Sequence, residues 1–308
     1  MKKKEIIVGA RGSKLSLAQT ESVIRFLKRK FPGYIFILKK ITTLGDRVKE
    51  WQRTDKGIFV KEIEDELISG KIDLAVHSMK DLPSRIPSRL KLAAVTKREN
   101  PRDVLISKDN RDLFILKAGC LIGTSSLRRR AQILRLRADL RIENLRGNLD
   151  TRIRKLHEGQ YDAIVVAAAG LKRLKYKNIQ ARFLSPEIML PSCGQGALGI
   201  EVRSNDRLMQ RIAQKINDAK TSLCVASERA FLEATGAGCR MPVAAFARIR
   251  GQRINLSTMI ISLDGKKAVC LSRNAHLSQA LALGKSLAAE ALEKGGRDIL
   301  TAIKHGQK

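Results

Sequence analysis

The stretch Ile72-Asp73-Leu74-Ala75-Val76-His77-Ser78-Met79-Lys80-Asp81-Leu82-Pro83 decides how this chain is interpreted. Its short apolar run, Leu74 to Val76, is typical of a buried parallel strand and stops abruptly in polar side chains. In open α/β sheets, ligands lie beyond the carboxyl ends of the strands. The polar residues from His77 to Asp81 therefore form a candidate site. A charged turn with a solvated Lys80–Asp81 pair explains the same spacing equally well.

The charge of the chain is its most unusual bulk property. Its 308 residues contain 60 Lys and Arg against 30 Asp and Glu, a formal net charge of +30. Such a surface attracts polyanions, whether nucleic acid, an anionic membrane or a substrate with many carboxylates. The length predicts two or three domains.

The cysteines and the start of the chain indicate a compartment. The five cysteines are scattered and form no C-x-x-C pair, which favours reduced thiols and argues against a disulfide framework or a zinc site. The four histidines form no metal cluster either. The first apolar run is cut short by Arg11, and no later run is long enough to span a bilayer. We therefore expect a cytoplasmic protein with no metal and no membrane contact.

A strand, a glycine, hydroxyl residues and a helix follow one another twice. The first occurrence has Arg11, Gly12 and Ser13, and the second runs from Gly123 to Arg129. Free N–H groups at a helix N-terminus make an anion site in outline. Arginines are unfavourable at this positive end of a helix, so an anionic partner would explain them, although a solvated face explains them equally well.

These repeated units predict the domain organisation. Residues 1–98, joined by about 197–217, form a first α/β lobe, and residues 99–196 form a second. Each lobe would offer helix N-termini to the same ligand. Residues 218–308 contain alternating strands and then helices, which predicts a small α+β domain with a hairpin at Asp264-Gly265.

Two segments without regular periodicity also stand out. Thr43 to Lys56 is long and polar, which predicts a lid, and Pro191 to Gly196 is interpreted as a flexible linker. Cys193 lies in that linker, and Cys239 lies in a glycine-rich loop beside Arg240. A neighbouring cation lowers the pKa of a thiol and favours the nucleophilic thiolate. Spacing alone does not choose between the two cysteines.

Several motifs taken together resemble the porphobilinogen deaminase (hydroxymethylbilane synthase) family. In chain order they are Arg11–Gln19, Thr43–Asp46, Lys56–Glu62, Asp73–Pro83, Arg98–Asp103, Gly123–Arg129, Leu145–Asn148, Gly194–Ala197, Glu228–Phe231 and Gly238-Cys239. The resemblance covers nearly the whole chain and is specific, because many independent motifs occur in the right order. It implies an α/β fold with two periplasmic-binding-protein-like, doubly wound lobes plus a small α+β C-terminal domain.

The resemblance also implies a reaction. It is that of a transferase of tetrapyrrole (haem, porphyrin) biosynthesis, in which four porphobilinogen molecules lose ammonia and condense head-to-tail, and water releases hydroxymethylbilane. One dipyrromethane cofactor per chain would be held by a thioether to Cys239, which selects this cysteine over Cys193. The family suggests a monomer whose partner is the small-molecule substrate.

Site residues follow from the motif positions that resemble those of the family. Asp81 takes the catalytic position, where its carboxylate would help expel the aminomethyl nitrogen, stabilise the cationic azafulvene and assist proton loss. The cofactor-binding positions are Cys239, Lys80, Asp81, Thr124, Ser125, Ser126, Arg128, Arg129, Arg146 and Gly147. The substrate-binding positions are Arg11, Ser13, Gln19, Phe59, Arg146 and Arg152. Arginines and helix N-termini suit the carboxylates that each pyrrole carries.

The rival interpretation is a two-lobed protein that binds anions or nucleic acid through its positive charge. Aromatic residues make up only 4% of the chain, and no nucleic-acid-binding module is recognisable. We therefore expect no nucleic-acid partner despite the basic surface.

Overall fold

A computed structural model describes residues 4–43, 60–176, 178–238 and 241–305. The chain divides into two compact units, one of Met1–Glu99 with Ala197–Ser222 and the other of Asn100–Gly196 with Leu223–Lys308. The predicted three-domain boundaries stay a prediction.

The described residues form strands and helices throughout. The strands are β1 (Lys4–Arg11), β2 (Tyr34–Ile41), β3 (Leu74–Ser78), β4 (Leu90–Val95), β5 (Asp103–Ser107), β6 (Leu121–Gly123), β7 (Arg141–Glu143), β8 (Ala163–Ala167), β9 (Arg182–Leu184), β10 (Leu198–Arg203), β11 (Val243–Arg250), β12 (Arg253–Ile261) and β13 (Ala268–His276). The helices are α1 (Lys14–Lys30), α2 (Lys61–Ile68), α3 (Leu127–Leu136), α4 (Leu149–His157), α5 (Ala168–Arg173), α6 (Arg207–Gln214), α7 (Ala219–Ala234), α8 (Ala280–Ala291) and α9 (Arg297–His305).

The sheet of the first unit has the strand order β2-β1-β3-β10-β4. Strand β3 is parallel to β1 and antiparallel to β10. Alternate residues of β3 enter different cores, since Leu74 and Val76 pack with α1 and α6 while Ala75 packs with α2. The predicted buried strand is confirmed, and its unbroken apolar run follows from burial on both faces. The sequence also predicts a strand from Leu198 to Val202, which is β10, but its antiparallel pairing with β3 was not predicted.

The second unit begins with a sheet in the order β7-β6-β8-β5-β9. Strand β5 is antiparallel to β8 and was not predicted from the sequence. Val104 and Ile106 pack on the face covered by α4, and Leu105 packs on the face covered by α3. Helices therefore cover both faces of this sheet as well, which confirms the predicted α/β class.

The end of the chain forms the antiparallel sheet β11-β12-β13. Residues such as Phe231 of α7, Leu256 of β12 and Leu287 of α8 share its core. The hairpin predicted at Asp264-Gly265 is confirmed, because the Gly265 N–H donates to the Ser262 carbonyl at 2.9 Å between β12 and β13. This sheet with its helices is the predicted small α+β element.

The two segments without regular periodicity in the sequence differ in how far the structure describes them. Pro191 to Gly196 was expected to be flexible, and that expectation is wrong. Cys193 and Gln195 are buried, and the Gly194 N–H donates to Glu228 Oε2 at 2.7 Å. The predicted lid lies outside the described residues from Leu44 onward. Within the ranges that the structure describes, no helix has both the length and the apolar character needed to cross a membrane.

Candidate active site

The polar turn after β3 carries Lys80 and Asp81 on a short 3-10 turn, Met79–Asp81. Met79 and Leu82 are buried at 2% and 1% exposure and anchor the turn on either side. The Met79 N–H also donates to the Ala197 carbonyl at 3.1 Å. Asp81 is exposed and Lys80 is half-buried. The buried anchors thus fix the backbone of the turn while the Asp81 carboxylate stays accessible to a ligand.

The anchoring of this turn requires a glycine in β10. A Cβ atom at Gly199 would lie 2.6 Å from Met79 Sδ and 2.9 Å from Leu92 Cδ1. Both distances are far below van der Waals contact, so a side chain here would displace Met79 from the position that supports the turn. The geometry of the Lys80–Asp81 turn therefore depends on a strand more than 100 residues later in the sequence.

Arg11, Ser13 and Gln19 lie near the same edge of the first sheet. Arg11 ends β1, which is parallel and adjacent to β3, so the carboxyl ends of the two strands point the same way. Ser13 caps α1, its Oγ accepting from the Ser16 N–H at 3.3 Å. The buried Gln19 donates through Nε2 to Ser78 Oγ at 3.2 Å, directly before the turn. The structure thus brings together the predicted residues of the first unit, apart from Phe59, which lies outside the described residues.

His77, the first polar residue after the apolar run of β3, has an internal carboxylate partner. It is buried, and its Nε2 lies 3.1 Å from Oε2 of the fully buried Glu201. The charges of His77 and Glu201 also act on the carboxyl group of Glu64 in α2. Burial, reinforced by the negative charge of Glu201, raises the pKa of Glu64 to about 7.

The variant Glu64→Gln is expected to remove a pH dependence of stability. Because the pKa of Glu64 rises from 4.5 to about 7 on folding, the wild-type free energy of unfolding should fall as the pH increases between these values. The loss should be about 1 kcal/mol, since Glu64 is only partly buried and solvent screens it. Urea unfolding at pH 5 and pH 8 measures it, with the exposed Asp298→Asn of α9 as control. Parallel pH curves for wild type and Glu64→Gln would contradict this assignment.

Hydroxyl residues shape the start of α3 in the second unit. Ser126 is the N-cap, its Oγ accepting from the Arg129 N–H at 3.4 Å. The buried Thr124 accepts the Ser126 N–H through Oγ1 at 3.2 Å. Ser125 is exposed, and its Oγ donates to the Leu145 carbonyl at 2.8 Å. Thr124 and Ser126 therefore hold the turn, and Ser125 joins it to the loop that carries Arg146.

Arg128 and Arg129 have an internal anionic partner. Both are 5% exposed, and their Nη2 atoms lie 2.8 Å and 2.7 Å from the two carboxylate oxygens of Asp103. Gln195 Nε2 donates to the same carboxylate at 3.0 Å. Burial alone would raise the pKa of Asp103, but the two guanidinium groups hold it well below its usual range. The sequence suggested that an anionic partner could explain these arginines, and Asp103 supplies that negative charge from within the protein. Their role in cofactor binding stays a prediction.

The variant Asp103→Asn is expected to lower the free energy of unfolding by about 3–5 kcal/mol, because it leaves two buried guanidinium groups without a counter-charge. Denaturant unfolding near neutral pH measures this loss. The ion pair contributes above the usual pKa of an aspartate and is lost only in strong acid, as its depressed pKa requires. Asp139→Asn is the matched control, since its carboxylate pairs with Arg137 at the surface. Equal unfolding midpoints for Asp103→Asn and wild type would refute the assignment.

Arg146, Gly147 and Arg152 lie at the start of α4. Gly147 has φ 109°, and a Cβ there would lie 2.7 Å from Thr151 Cγ2, so the position requires glycine. Asn148 caps α4 by accepting the Thr151 N–H at 2.9 Å. Arg152 Nε donates to the Gly147 carbonyl at 2.8 Å, and Arg146 is exposed. The structure therefore brings Ser125, Arg146, Gly147 and Arg152 into one basic, hydroxyl-bearing cluster.

The structure describes Cys193, one of the two candidate cysteines. Cys193 is 5% exposed and its Sγ donates to the Glu228 carbonyl at 3.5 Å, as a core thiol does. Cys239 and Arg240 lie outside the described residues. Among the described residues, no group of three His, Cys, Asp or Glu side chains could hold a metal ion.

Comparison with known proteins identifies what the chain is similar to. Residues 6–211 match the family model "Porphobilinogen deaminase, dipyromethane cofactor binding domain". Residues 222–293 match "Porphobilinogen deaminase, C-terminal domain". Porphobilinogen deaminase of Alkaliphilus metalliredigens is 43% identical over 302 residues, covering 97% of this chain and 95% of the relative. The protein of that name from Roseiflexus sp. (strain RS-1) is 44% identical, covering 97% and 99%. That from Thermus thermophilus is 44% identical with the same two coverages.

Proposed function

We propose that this chain, which belongs to the porphobilinogen deaminase family, is a hydroxymethylbilane synthase, a transferase. Four porphobilinogen molecules are joined head-to-tail, and water releases hydroxymethylbilane. Each condensation forms one carbon–carbon bond, expels ammonia from an aminomethyl group and removes one proton from a pyrrole α-carbon. The reaction therefore needs a group that handles protons and positive charge, and cationic groups that bind carboxylates.

The exposed carboxylate of Asp81 is the main support for this proposal. Its carboxylate is exposed at the end of a turn whose backbone is fixed by Met79 and Leu82. A carboxylate so placed can hold a proton at the aminomethyl nitrogen, stabilise the positive charge that develops on the substrate ring, and accept the α-carbon proton. Lys80, the next residue, would bind a carboxylate of the cofactor.

Each unit contains groups that suit the binding of carboxylates. In the first unit, Arg11, Ser13 and Gln19 would contact substrate. In the second, the exposed Ser125 and Arg146 and the half-buried Arg152 would contact carboxylates, while Thr124, Ser126 and Gly147 set the backbone shape of the cluster. Arg128 and Arg129 also donate through Nη1 to the Leu190 and Val165 carbonyls, and of the five N–H groups on each guanidinium the remaining ones would bind the cofactor. Phe59 would lie near the pyrrole rings.

The donor set fits a dipyrromethane cofactor. Guanidinium groups, hydroxyls and helix N-termini are the groups that bind carboxylates, and the family model that matches 6–211 is the dipyrromethane-binding domain. Cys239 would attach the group through a thioether. When bound, it supplies a nucleophilic pyrrole carbon and keeps the growing product on the enzyme.

We further propose that the enzyme is a monomer, acts in the cytoplasm and does not bind nucleic acid. The support is the family resemblance, the reduced, scattered cysteines and the low aromatic content. In this proposal, the net charge of +30 serves the retention of a product that gains carboxylates with each condensation.

The mass of the denatured wild-type protein tests the function. It is expected to exceed the mass of the chain by one covalent dipyrrole, located on the peptide that contains Cys239. Incubation with porphobilinogen should then release ammonia and hydroxymethylbilane. A polypeptide with the bare mass of its amino acids, unchanged after incubation with porphobilinogen, would overturn the proposal.

A further inference from the structure

The loop before α4, Asn144–Asn148, is held by side chains from several elements. The Asn144 carbonyl accepts the Tyr161 hydroxyl at 2.8 Å. The Leu145 carbonyl accepts Ser125 Oγ at 2.8 Å, and the Gly147 carbonyl accepts Arg152 Nε at 2.8 Å. Three of its five carbonyls thus have a side-chain donor. These bonds fix the backbone on both sides of Arg146.

One more contact holds the first turn of α4 from outside. The hydroxyl of Tyr176, three residues after α5, donates a short hydrogen bond to Oδ1 of Asp150. Asp150 is the second residue of α4, where its negative charge also suits the positive end of the helix. Burial, together with Asp150, raises the pKa of Tyr176 to about 12, so the hydroxyl keeps its proton near neutral pH.

This contact matters because both arginines of the cluster depend on the start of α4. Arg152 lies in its first turn and a half, and Arg146 precedes its N-cap, Asn148. The first turn of a helix has few internal hydrogen bonds and frays easily. Arginine binds a carboxylate best through two parallel hydrogen bonds, whose geometry tolerates little displacement.

We propose that Tyr176 is a positioning residue for substrate: through Asp150 it fixes the first turn of α4, and thereby Arg146 and Arg152, for binding the carboxylates of porphobilinogen. This inference rests on the proposed function. Tyr176 itself contacts no reacting atom in this proposal. Its removal should therefore weaken substrate binding and leave the chemical step and cofactor attachment intact.

The variant Tyr176→Phe tests the proposal, because it deletes only the hydroxyl. Its KM for porphobilinogen is expected to rise about fivefold, the size of effect that the net loss of one ordinary hydrogen bond produces. Its kcat should stay within about twofold of wild type, and its denatured mass should still include the dipyrrole. Tyr34→Phe is the control, since Tyr34 lies in the first unit against Phe31.

Variants of Asp150 provide a second, independent test of this proposal. Asp150→Ala should raise KM, whereas Asp150→Asn keeps an oxygen that accepts the Tyr176 hydroxyl and should restore KM to near the wild-type value. In a double-mutant cycle, Tyr176→Phe should add nothing to Asp150→Ala. An unchanged KM in an active Tyr176→Phe enzyme, or additive effects in the cycle, would overturn the inference. Absence of turnover in the wild type would instead overturn the proposed function.

Discussion

Cys239→Ser is expected to yield a protein with the bare mass of its amino acids and with no porphobilinogen turnover. A thioether forms through a thiolate, which Cys supplies readily beside a cation such as Arg240, whereas a serine hydroxyl ionises far above neutral pH. Without the attached group, the first substrate has no acceptor. Intact-protein mass spectrometry and ammonia release measure the two losses separately.

Other cysteines of the chain are the controls for this variant. Cys270→Ser removes an exposed thiol and should keep both the added mass and the turnover. Cys193→Ser alters a buried thiol of the core, so it should also keep the added mass. If Cys239→Ser still carried the dipyrrole, or if Cys193→Ser lost it while remaining folded, the attachment site would be misassigned.

Asp81→Asn is expected to lower kcat by a factor of about 10²–10⁴, the usual contribution of a positioned general acid or base. Asparagine matches the shape of aspartate and keeps its hydrogen-bonding oxygen. It can neither take up the proton nor balance the positive charge of the substrate ring. Since Asp81 is exposed and lies between the buried Met79 and Leu82, the substitution should not disturb the turn. Steady-state ammonia release gives kcat.

Two further variants separate chemistry from general charge effects. Asp81→Glu keeps the carboxylate but moves it by one methylene, so it should retain more activity than Asp81→Asn. Asp65→Asn changes an exposed carboxylate of α2 and should turn over at the wild-type rate. Wild-type kcat in Asp81→Asn would remove Asp81 from the mechanism.

Local pattern was sufficient for much of the fold and for the helix ends of the candidate site. The buried strand at Leu74 to Val76 and the hairpin at Asp264-Gly265 were predicted, because a short apolar run and a turn dipeptide define them. Hydroxyl caps were predicted before both helices from hydroxyl residues that precede an apolar helical stripe, and the structure assigns them to Ser13 and Ser126. Each of these features depends on residues only a few positions apart.

The sequence was sufficient to predict the class of the fold, the family to which the chain belongs, and the residue types proposed for the candidate site. The tertiary structure alone decided which of those residues meet. Asp103 pairs with arginines about 25 positions later and with Gln195, 92 positions away. It also decided that β10 supports the Asp81 turn and that Tyr176 holds α4. The physical reason is that such contacts arise from the packing of distant segments, whose partners leave no periodic or local signal in the chain.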